Sequence, residues 1–413
     1  MSKNLKPPKG MRDFLPQEKA IREQVLAIIR DEYKINGFTE IETSFIENIG
    51  RLDNSDGGEN TKLIFKILKR GEKLNLDTAK TENDLADLGL RFDLTVPLCR
   101  FYANNKNDLS QVFKAVQIGN VFRAERPQRG RYRSFVQCDV DIIGDPTNIA
   151  EIELINTVAR ALSRLGLKDF TVKINDRRVL KGLVMYAGFS EDSFTDIVIT
   201  LDKLDKIGQD GVRKELESKG YATDNINTLI TVSEKITAEG LEALKEYNLS
   251  PEGYNNLNEI IAVIETLSDG YGIEFDFTLA RGMGYYTSTI FEVAYSDVGF
   301  SVAGGGRYDE MIGNFSGTPA PAVGFSIGFE RIADILRAEG SAFVTPKKLA
   351  LLIKNEDVKP DVFAKANELK KDFDIVSVFE TKKKLGKQLQ RLKEEGYTDF
   401  ATYADELEIK AMD

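Results

Sequence analysis

The sequence predicts an α+β chain: an antiparallel sheet with flanking helices, a helical insertion, and a small C-terminal α/β module. Three observations carry this reading. Short β-prone runs dominate from Phe38 to about Gly144 and return from Ile273 to Val302. Residues from about 176 to 270 form polar segments of helical character without strand alternation, as expected of helices inserted into a sheet domain. Residues 346–413 alternate strand-like and helix-like segments. With 413 residues, 42% hydrophobic and 30% charged, the chain has the length for two or three domains with cores of their own and lies outside the disordered range.

Along the chain, the lead Lys9, Gly10, Met11, Arg12, Asp13, Phe14, Leu15, Pro16 is followed by Ile21, Val25, Ile28, Ile29 and Tyr33, whose spacing predicts a helix over 17–35 that ends near Gly37. Residues 38–144 read as an antiparallel sheet, broken by polar loops at Asp53–Asn60 and near Thr81–Asp87. Helical spacing returns at Ile152, Leu154, Ile155, Val158, Ala159 and Leu162, and a strand is expected over Phe170–Ile174. Gly340 and Thr345-Pro346 mark a boundary. Beyond it the pattern predicts strand 349–353, helix 360–371, strand 374–379, helix 383–396 and strand 398–402. The expected division is 1–175, 176–270 (the insertion), 271–343 and 346–413.

Composition excludes whole classes of chemistry. A chain with no His holds no Ser-His-Asp or Cys-His nucleophile and no His-ligated zinc. Two Cys, at 99 and 138, make neither a zinc site nor a disulfide framework, and predict a reducing, cytoplasmic setting. No membrane-spanning run or secretory leader is read, and a net charge of -10 argues against indiscriminate binding to polyanions, so neither membrane nor DNA is expected as a partner. Any nucleic-acid contact must be local. The tail from 346 holds 14 basic and 14 acidic residues, and its basic run places Lys383, Lys387 and Arg391 on one helical face. Such a face suits RNA or plain solvation equally.

Three stretches carry the chemistry. Residues 121–141 hold five Arg from 123 to 133 in a loop between two strand-like runs. On the second run, period 2 puts Val136, Cys138, Val140 and Ile142 on one face, and Phe135, Gln137, Asp139 and Asp141 on the other. Arg123 and Glu125 likewise share a face. Arginine beside a carboxylate and a stacking aromatic suits a nucleotide, because guanidinium grips phosphate bidentately; the alternative is an exposed hairpin with surface ion pairs. Residues 279–292 run Arg281 and glycines into the pair Tyr285-Tyr286. Residues 302–309 place three glycines before Arg307, Tyr308 and Asp309, and Gly324–Arg331 leads into a helix. Glycines permit close backbone approach to a ligand, although a glycine run alone is more often a turn, and the phosphate-loop pattern GxxxxGK[ST] is absent.

Together these stretches resemble the class II aminoacyl-tRNA synthetases, and within them the histidine-specific family. The resemblance covers nearly the whole chain: Lys9–Pro16, motif 2 at Phe122–Arg133, the histidine signature at Ala280–Thr287, Ala303–Asp309 and motif 3 at Gly324–Arg331 stand in family order. It implies a class II antiparallel sheet and ATP-dependent ligation of L-histidine to tRNA(His) through histidyl-adenylate, with Mg2+ accompanying ATP, no metal site made by the protein alone, and a homodimer. Carried over by position, Arg123 and Arg281 are the catalytic pair on the α-phosphate. Arg123, Glu125, Arg131, Phe135 and Arg331 would bind ATP. Asp93, Thr95 and Gln137 would take the histidine α-amino group, with Asp141, Tyr285, Tyr286 and Arg281 completing the histidine site. Asp139 shares the strand face but inherits no role.

Departures from the family pattern are Gly284, where Asp usually precedes the Tyr pair, Ser288 for a Gly, and Ser44 for the Pro of motif 1. The module after 346 lacks the last helix of the anticodon-binding domain, which predicts weaker anticodon affinity. Two rivals share the fold. A non-catalytic, histidine-sensing regulatory subunit of ATP phosphoribosyltransferase is opposed by the intact Arg126–Arg133 loop, Arg281 and Arg331; a synthetase for another amino acid is opposed by the Tyr285-Tyr286 pair.

Overall fold

A computed structural model describes residues 5–53, 62–128, 130–280, 284–295, 301–339, 346–404 and 406–412. The chain forms two compact units, Met1–Ser341 and Ala342–Asp413.

The larger unit opens with α1 (Pro16–Ile35), which starts on a proline in its first turn and buries Val25, Leu26, Ile29 and Tyr33 along one stripe. Then come β1 (Thr39–Glu40), β2 (Ile46–Asn48), α2 (Ile49–Asp53), β3 (Lys66–Leu68), α3 (Glu82–Leu85), β4 (Ala86–Leu90), α4 (Thr95–Asn105), and the long hairpin β5 (Phe113–Phe122) and β6 (Ser134–Ile143). Helix α5 (Ile149–Arg164) and β7 (Phe170–Asp176) precede the helices α6 (Arg177–Tyr186), α7 (Phe194–Leu201), α8 (Leu204–Ser218), α9 (Thr223–Glu239), α10 (Ala243–Glu246) and α11 (Pro251–Leu267). The sheet resumes with β8 (Tyr271–Phe275), β9 (Thr289–Tyr295) and β10 (Ser301–Arg307), followed by α12 (Met311–Ser316), β11 (Ala322–Gly328) and α13 (Phe329–Ala338).

Eight strands make the main sheet, in the order β1-β5-β6-β11-β10-β9-β7-β8. Its interior pairings are antiparallel, while the edge strands β1 and β8 pair in parallel with β5 and β7. A second, antiparallel sheet orders as β2-β4-β3. Two details differ from the sequence reading of 38–144 as antiparallel sheet. β1 is parallel, because the chain reaches the sheet edge directly from α1 and never turns back as a hairpin. The run Thr95-Val-Pro-Leu-Cys-Arg-Phe is helix, with Pro97 in the first turn, where its missing N–H breaks no intrahelical bond. The Asp93 carboxylate accepts from the Val96 N–H at 3.1 Å and steadies that turn.

The glycine-bearing strand β10 is fixed by a buried ion pair. Arg307 donates from Nε and Nη2 to Glu151 on α5 at 2.7 and 2.6 Å, and to the carbonyls of Asp145 and Thr147 at 3.0 and 2.9 Å. Both side chains are buried.

The smaller unit is a four-stranded sheet ordered β13-β12-β14-β15, with β12 (Lys348–Ile353), α14 (Lys359–Leu369), β13 (Ile375–Glu380), α15 (Leu385–Glu394), β14 (Asp399–Thr402) and β15 (Lys410–Ala411). Leu349, Leu351, Val362, Ala366 and Ala401 pack on one side of it. Lys383 precedes α15 and is not on the helical face with Lys387 and Arg391. Gln388 turns back to bind Lys382 N–H and Glu380 C=O at 2.8 and 2.9 Å, and the helix begins only at Leu385. All three basic residues are exposed, and Arg391 pairs with Glu395 at 2.8 Å.

Removing one member of a buried pair leaves the other charge poorly compensated, here by the partly exposed Asp309 at 3.3 Å, at a cost of about 3–5 kcal/mol. Glu151→Ala is therefore expected to lower the unfolding free energy by about that amount, measured by chemical denaturation; a change within about 0.5 kcal/mol would contradict the role given to Arg307.

Candidate active site

The larger unit holds an open cleft of about 600 Å³ on one face of the main sheet. Of the residues singled out from sequence, Asp93, Thr95, Arg123, Glu125, Arg131, Phe135, Gln137, Asp141, Tyr285, Tyr286 and Arg331 all line it. Arg281 lies outside the described residues, and Lys383, Lys387 and Arg391 belong to the smaller unit.

The period of β6 does most of the gathering. Phe135, Gln137, Asp139 and Asp141 point into the cleft, while Cys138, Val140 and Ile142 are buried beneath the sheet. Register sets what meets them: Gln137, Asp139 and Asp141 pair with Gly328, Ser326 and Gly324 of β11. A Cβ on Gly324 would sit 2.0 Å from Asp141 Oδ1, so glycine is required there.

One end of the cleft is acidic and aromatic. Asp93, Asp139 and Asp141 are all buried. Burial raises the Asp93 carboxyl to about 6. Asp141 rises to about 7 through burial, against the hydrogen bond it accepts from Tyr308 Oη at 2.6 Å. Asp139 is pushed well up by burial and then by Asp141. Tyr285 packs edge-on against Tyr286 at 4.8 Å and Tyr308 at 6.1 Å. Two acceptors at this end, Asp93 Oδ2 and Gln137 Oε1, are buried without a hydrogen-bond partner among the described residues. Groups of that kind are costly unless a ligand satisfies them.

The other end is cationic. Arg123 donates from Nε to Phe92 C=O at 3.0 Å and lies 5.2 Å from the Phe135 ring centre. The hairpin tip closes through Gln128 and Arg131, and Arg131 stands 3.6 Å from Glu125. Arg331, on the first turn of α13, bonds Ser301 C=O. Glu330 beside it is buried and accepts from Arg22 twice at 2.7 Å, from Arg12 at 2.7 Å and from Val136 N–H at 3.3 Å. Arg12 also lies 4.1 Å from the Tyr132 ring centre, and Tyr132 bonds Asp334 at 3.2 Å. The lead segment thereby braces the arginine loop against α13.

Sequence reasoning assigned no role to Tyr308, Ser326 or Glu330, which also line the cleft. Tyr308 was within reach, since it closes the glycine run. Ser326 and Glu330 become visible only through the β6–β11 register and the contact with α1. Of the departures, Ser44 forms a local turn with Ile46, Ser288 is buried and its carbonyl accepts from Arg177 N–H at 2.9 Å, and Gly284 is exposed.

The chain is similar to known proteins over most of its length. The family model for histidyl-tRNA synthetase matches residues 10–332, a span that contains the whole cleft. A histidine–tRNA ligase of Leifsonia xyli subsp. xyli is 47% identical over 355 residues, covering 83% of this chain and 82% of its own length. A probable histidine–tRNA ligase of Tropheryma whipplei strain Twist is 40% identical over 418 residues, covering 97% and 96%. The crystal structure of histidyl-tRNA synthetase from Nostoc sp. PCC 7120 has a TM-score of 0.81 at 27% identity, covering 99% of this chain and 95% of that one.

The raised carboxyls make a testable statement about stability. Asp141 keeps its proton up to about 7 when folded, whereas an unfolded Asp loses it near 3.8. The folded state therefore binds more protons between those values, and stability falls as pH rises through that window. Asp141→Asn, which cannot ionise, is expected to raise the melting temperature by an amount that is small at pH 4, grows toward pH 7 and is constant above it. A gain independent of pH in melting curves from pH 4 to 8.5 would count against a buried, protonated Asp141.

Proposed function

The chain belongs to the histidyl-tRNA synthetase family, and from that premise we propose how the cleft of its larger unit carries out ATP-dependent ligation of L-histidine to tRNA(His). The carboxylate of histidine attacks the α-phosphorus of ATP, forming the acyl–phosphate bond of histidyl-adenylate as pyrophosphate leaves. A terminal ribose hydroxyl of the tRNA then attacks the acyl carbon, and AMP departs.

The observation that carries the reading is the pair of unpartnered buried acceptors, Asp93 Oδ2 and Gln137 Oε1, in a cleft whose opposite end is arginine-rich. An α-ammonium donates three hydrogen bonds; Asp93, Gln137 and the Thr95 hydroxyl accept them. Asp141, held by Tyr308, and the Tyr285-Tyr286 pair receive the imidazole. Adenine stacks on Phe135 beside Glu125. Arg123 binds the α-phosphate, Arg131 the phosphate side, Arg331 the γ-phosphate, and Arg281, by family position, opposes Arg123 across the reacting phosphorus. The attacking group is already an anion, so the step calls for orientation and charge stabilisation and needs no general base.

Mg2+ enters with ATP. Among the described residues no group of three His, Cys, Asp or Glu could hold a metal ion, and phosphate oxygens are its ordinary ligands. The exposed Phe45 and Ile46, next to Ser44 of motif 1, support a homodimer contact at that edge. The basic residues Lys383, Lys387 and Arg391 support a tRNA contact by the smaller unit. A cytoplasmic setting fits the two buried free thiols, Cys99 and Cys138. Among the described residues no helix is long and apolar enough to cross a membrane.

ATP–pyrophosphate exchange with each amino acid in turn tests the function. Exchange dependent on histidine alone is expected. Absence of exchange with every amino acid, with histidine binding retained, would make the chain a histidine-binding regulator. Arg123→Ala is expected to lower the exchange kcat by about 10²–10³ while histidine KM moves by less than about threefold, since its charge meets phosphate in the transition state. Equal losses in kcat and histidine affinity would contradict that role.

A further inference from the structure

An amide side chain is useful in recognition only if something decides which end faces the ligand. Gln137 presents either a carbonyl oxygen, which attracts an ammonium, or an NH2 group, which repels it. Its neighbours decide the matter through their own donor and acceptor capacities.

Gln137 Nε2 donates to Ser326 Oγ at 2.9 Å and to Asp139 Oδ1 at 3.3 Å. The Ser326 hydroxyl has one proton and stands across the β6–β11 pairing from the Asp139 carboxylate, a better acceptor for that proton than an amide oxygen. The serine oxygen is then left as an acceptor, and an ionised Asp139 is an acceptor only. With Asp139 ionised, both partners of Gln137 require its NH2 end; Oε1 is turned away from them, buried and without a partner among the described residues. Reversing the amide would set Oε1 against two acceptors. The triangle rests on register: Asp139 and Ser326 are paired across β6 and β11, with Gln137 one step along the same face.

We propose that Asp139, acting through Ser326 and Gln137, is a positioning residue for amino-acid recognition, fixing the Gln137 amide so that its oxygen faces the substrate α-ammonium. This rests on the reading of Gln137 as an ammonium ligand. It gives a task to a buried carboxylate that the reaction itself leaves unused. Burial and Asp141 raise the proton affinity of Asp139, and an ammonium arriving beside Gln137 favours the ionised form, so the orientation tightens as the ligand enters.

The test uses the full-length chain in histidine-dependent ATP–pyrophosphate exchange, with melting curves to check folding. Asp139→Leu, close in shape and without acceptors, is expected to raise histidine KM about tenfold, the usual effect of losing a hydrogen bond to a charged ligand, while kcat and ATP KM stay within about threefold. Ser326→Ala removes a single oxygen, disturbs folding least, and is expected to raise histidine KM in the same direction. In a Gln137→Ala background both substitutions should have no further effect on histidine KM, because the group they orient is gone.

Unchanged histidine KM in Ser326→Ala and Asp139→Leu would overturn the proposal, as would parallel losses of kcat and ATP affinity. Effects that persist in the Gln137→Ala background would overturn it too, showing that Asp139 acts on the ligand directly by its charge. Histidine-dependent exchange by the unsubstituted chain separates these outcomes from a failure of the assigned function.

Discussion

The site depends on one constraint: three carboxylates, Asp93 before α4 and Asp139 and Asp141 on β6, lie buried in the cleft without an ion pair to any of them among the described residues. Ionised carboxyls in such surroundings carry a desolvation cost of several kcal/mol, and the response is either to take up a proton or to collect hydrogen bonds. Both occur here. Asp141 accepts from Tyr308, Asp93 from the Val96 N–H, and Asp139 from Gln137, while the proton affinities of all three rise. The stability given up is held as an unmet demand for cations and donors, which on the proposed function an amino-acid ammonium and an imidazole would supply. Gly324 makes the arrangement geometrically possible, since any Cβ at that position would occupy the place of Asp141 Oδ1.

The cationic end is held by the opposite strategy, in which a single buried carboxylate gathers charges around itself. Glu330 satisfies Arg22 and Arg12 and bonds the start of β6, so the lead segment, α1, α13 and the arginine hairpin are braced through one side chain. Gly10 completes the brace. Its φ of +86° lies in the left-handed region, a Cβ there would come within 2.6 Å of Pro127, and its carbonyl accepts from Arg133 N–H at 2.7 Å. A loop that must present several guanidinium groups to one polyphosphate gains precision from such bracing, because the mutual repulsion of its charges would otherwise splay it.

Much of this was legible in the sequence, and the parts that were share a cause. The face of β6 carrying Phe135, Gln137, Asp139 and Asp141 follows from period 2 alone, and the strands and helices of the tail follow from local apolar spacing. What escaped depended on pairing between distant segments. The run at 95–105 is β-prone in composition and helical in fact, because Asp93 accepts from the Val96 N–H of its first turn and Phe92, Val96 and Leu98 belong to one buried cluster. Lys383 was placed on a helix that begins two residues later, because Gln388 reaches back to the strand before it. Ser326 and Glu330 are unremarkable in a linear reading. Register gives the first a carboxylate to bond, and a contact more than 300 residues away in the chain gives the second its arginines.

The two ends of the cleft, taken together, explain how a chain without histidine side chains handles this chemistry. On the proposed function, the buried acceptors orient a zwitterionic amino acid with its ammonium toward Asp93 and its carboxylate toward the phosphate that Arg123 binds. In that pose the contacts that satisfy the buried acceptors would also aim the nucleophile at the α-phosphate. The cleft thus has no need of a protein imidazole to activate the attacking group. Selectivity on the proposed function then falls to the side chain, which would bring a donor to Asp141 and an aromatic surface to Tyr285 and Tyr286. On that reading, an amino acid with an aliphatic side chain would leave the buried Asp141 with Tyr308 as its one donor among the described residues, and that shortfall, more than any steric wall, would reject it.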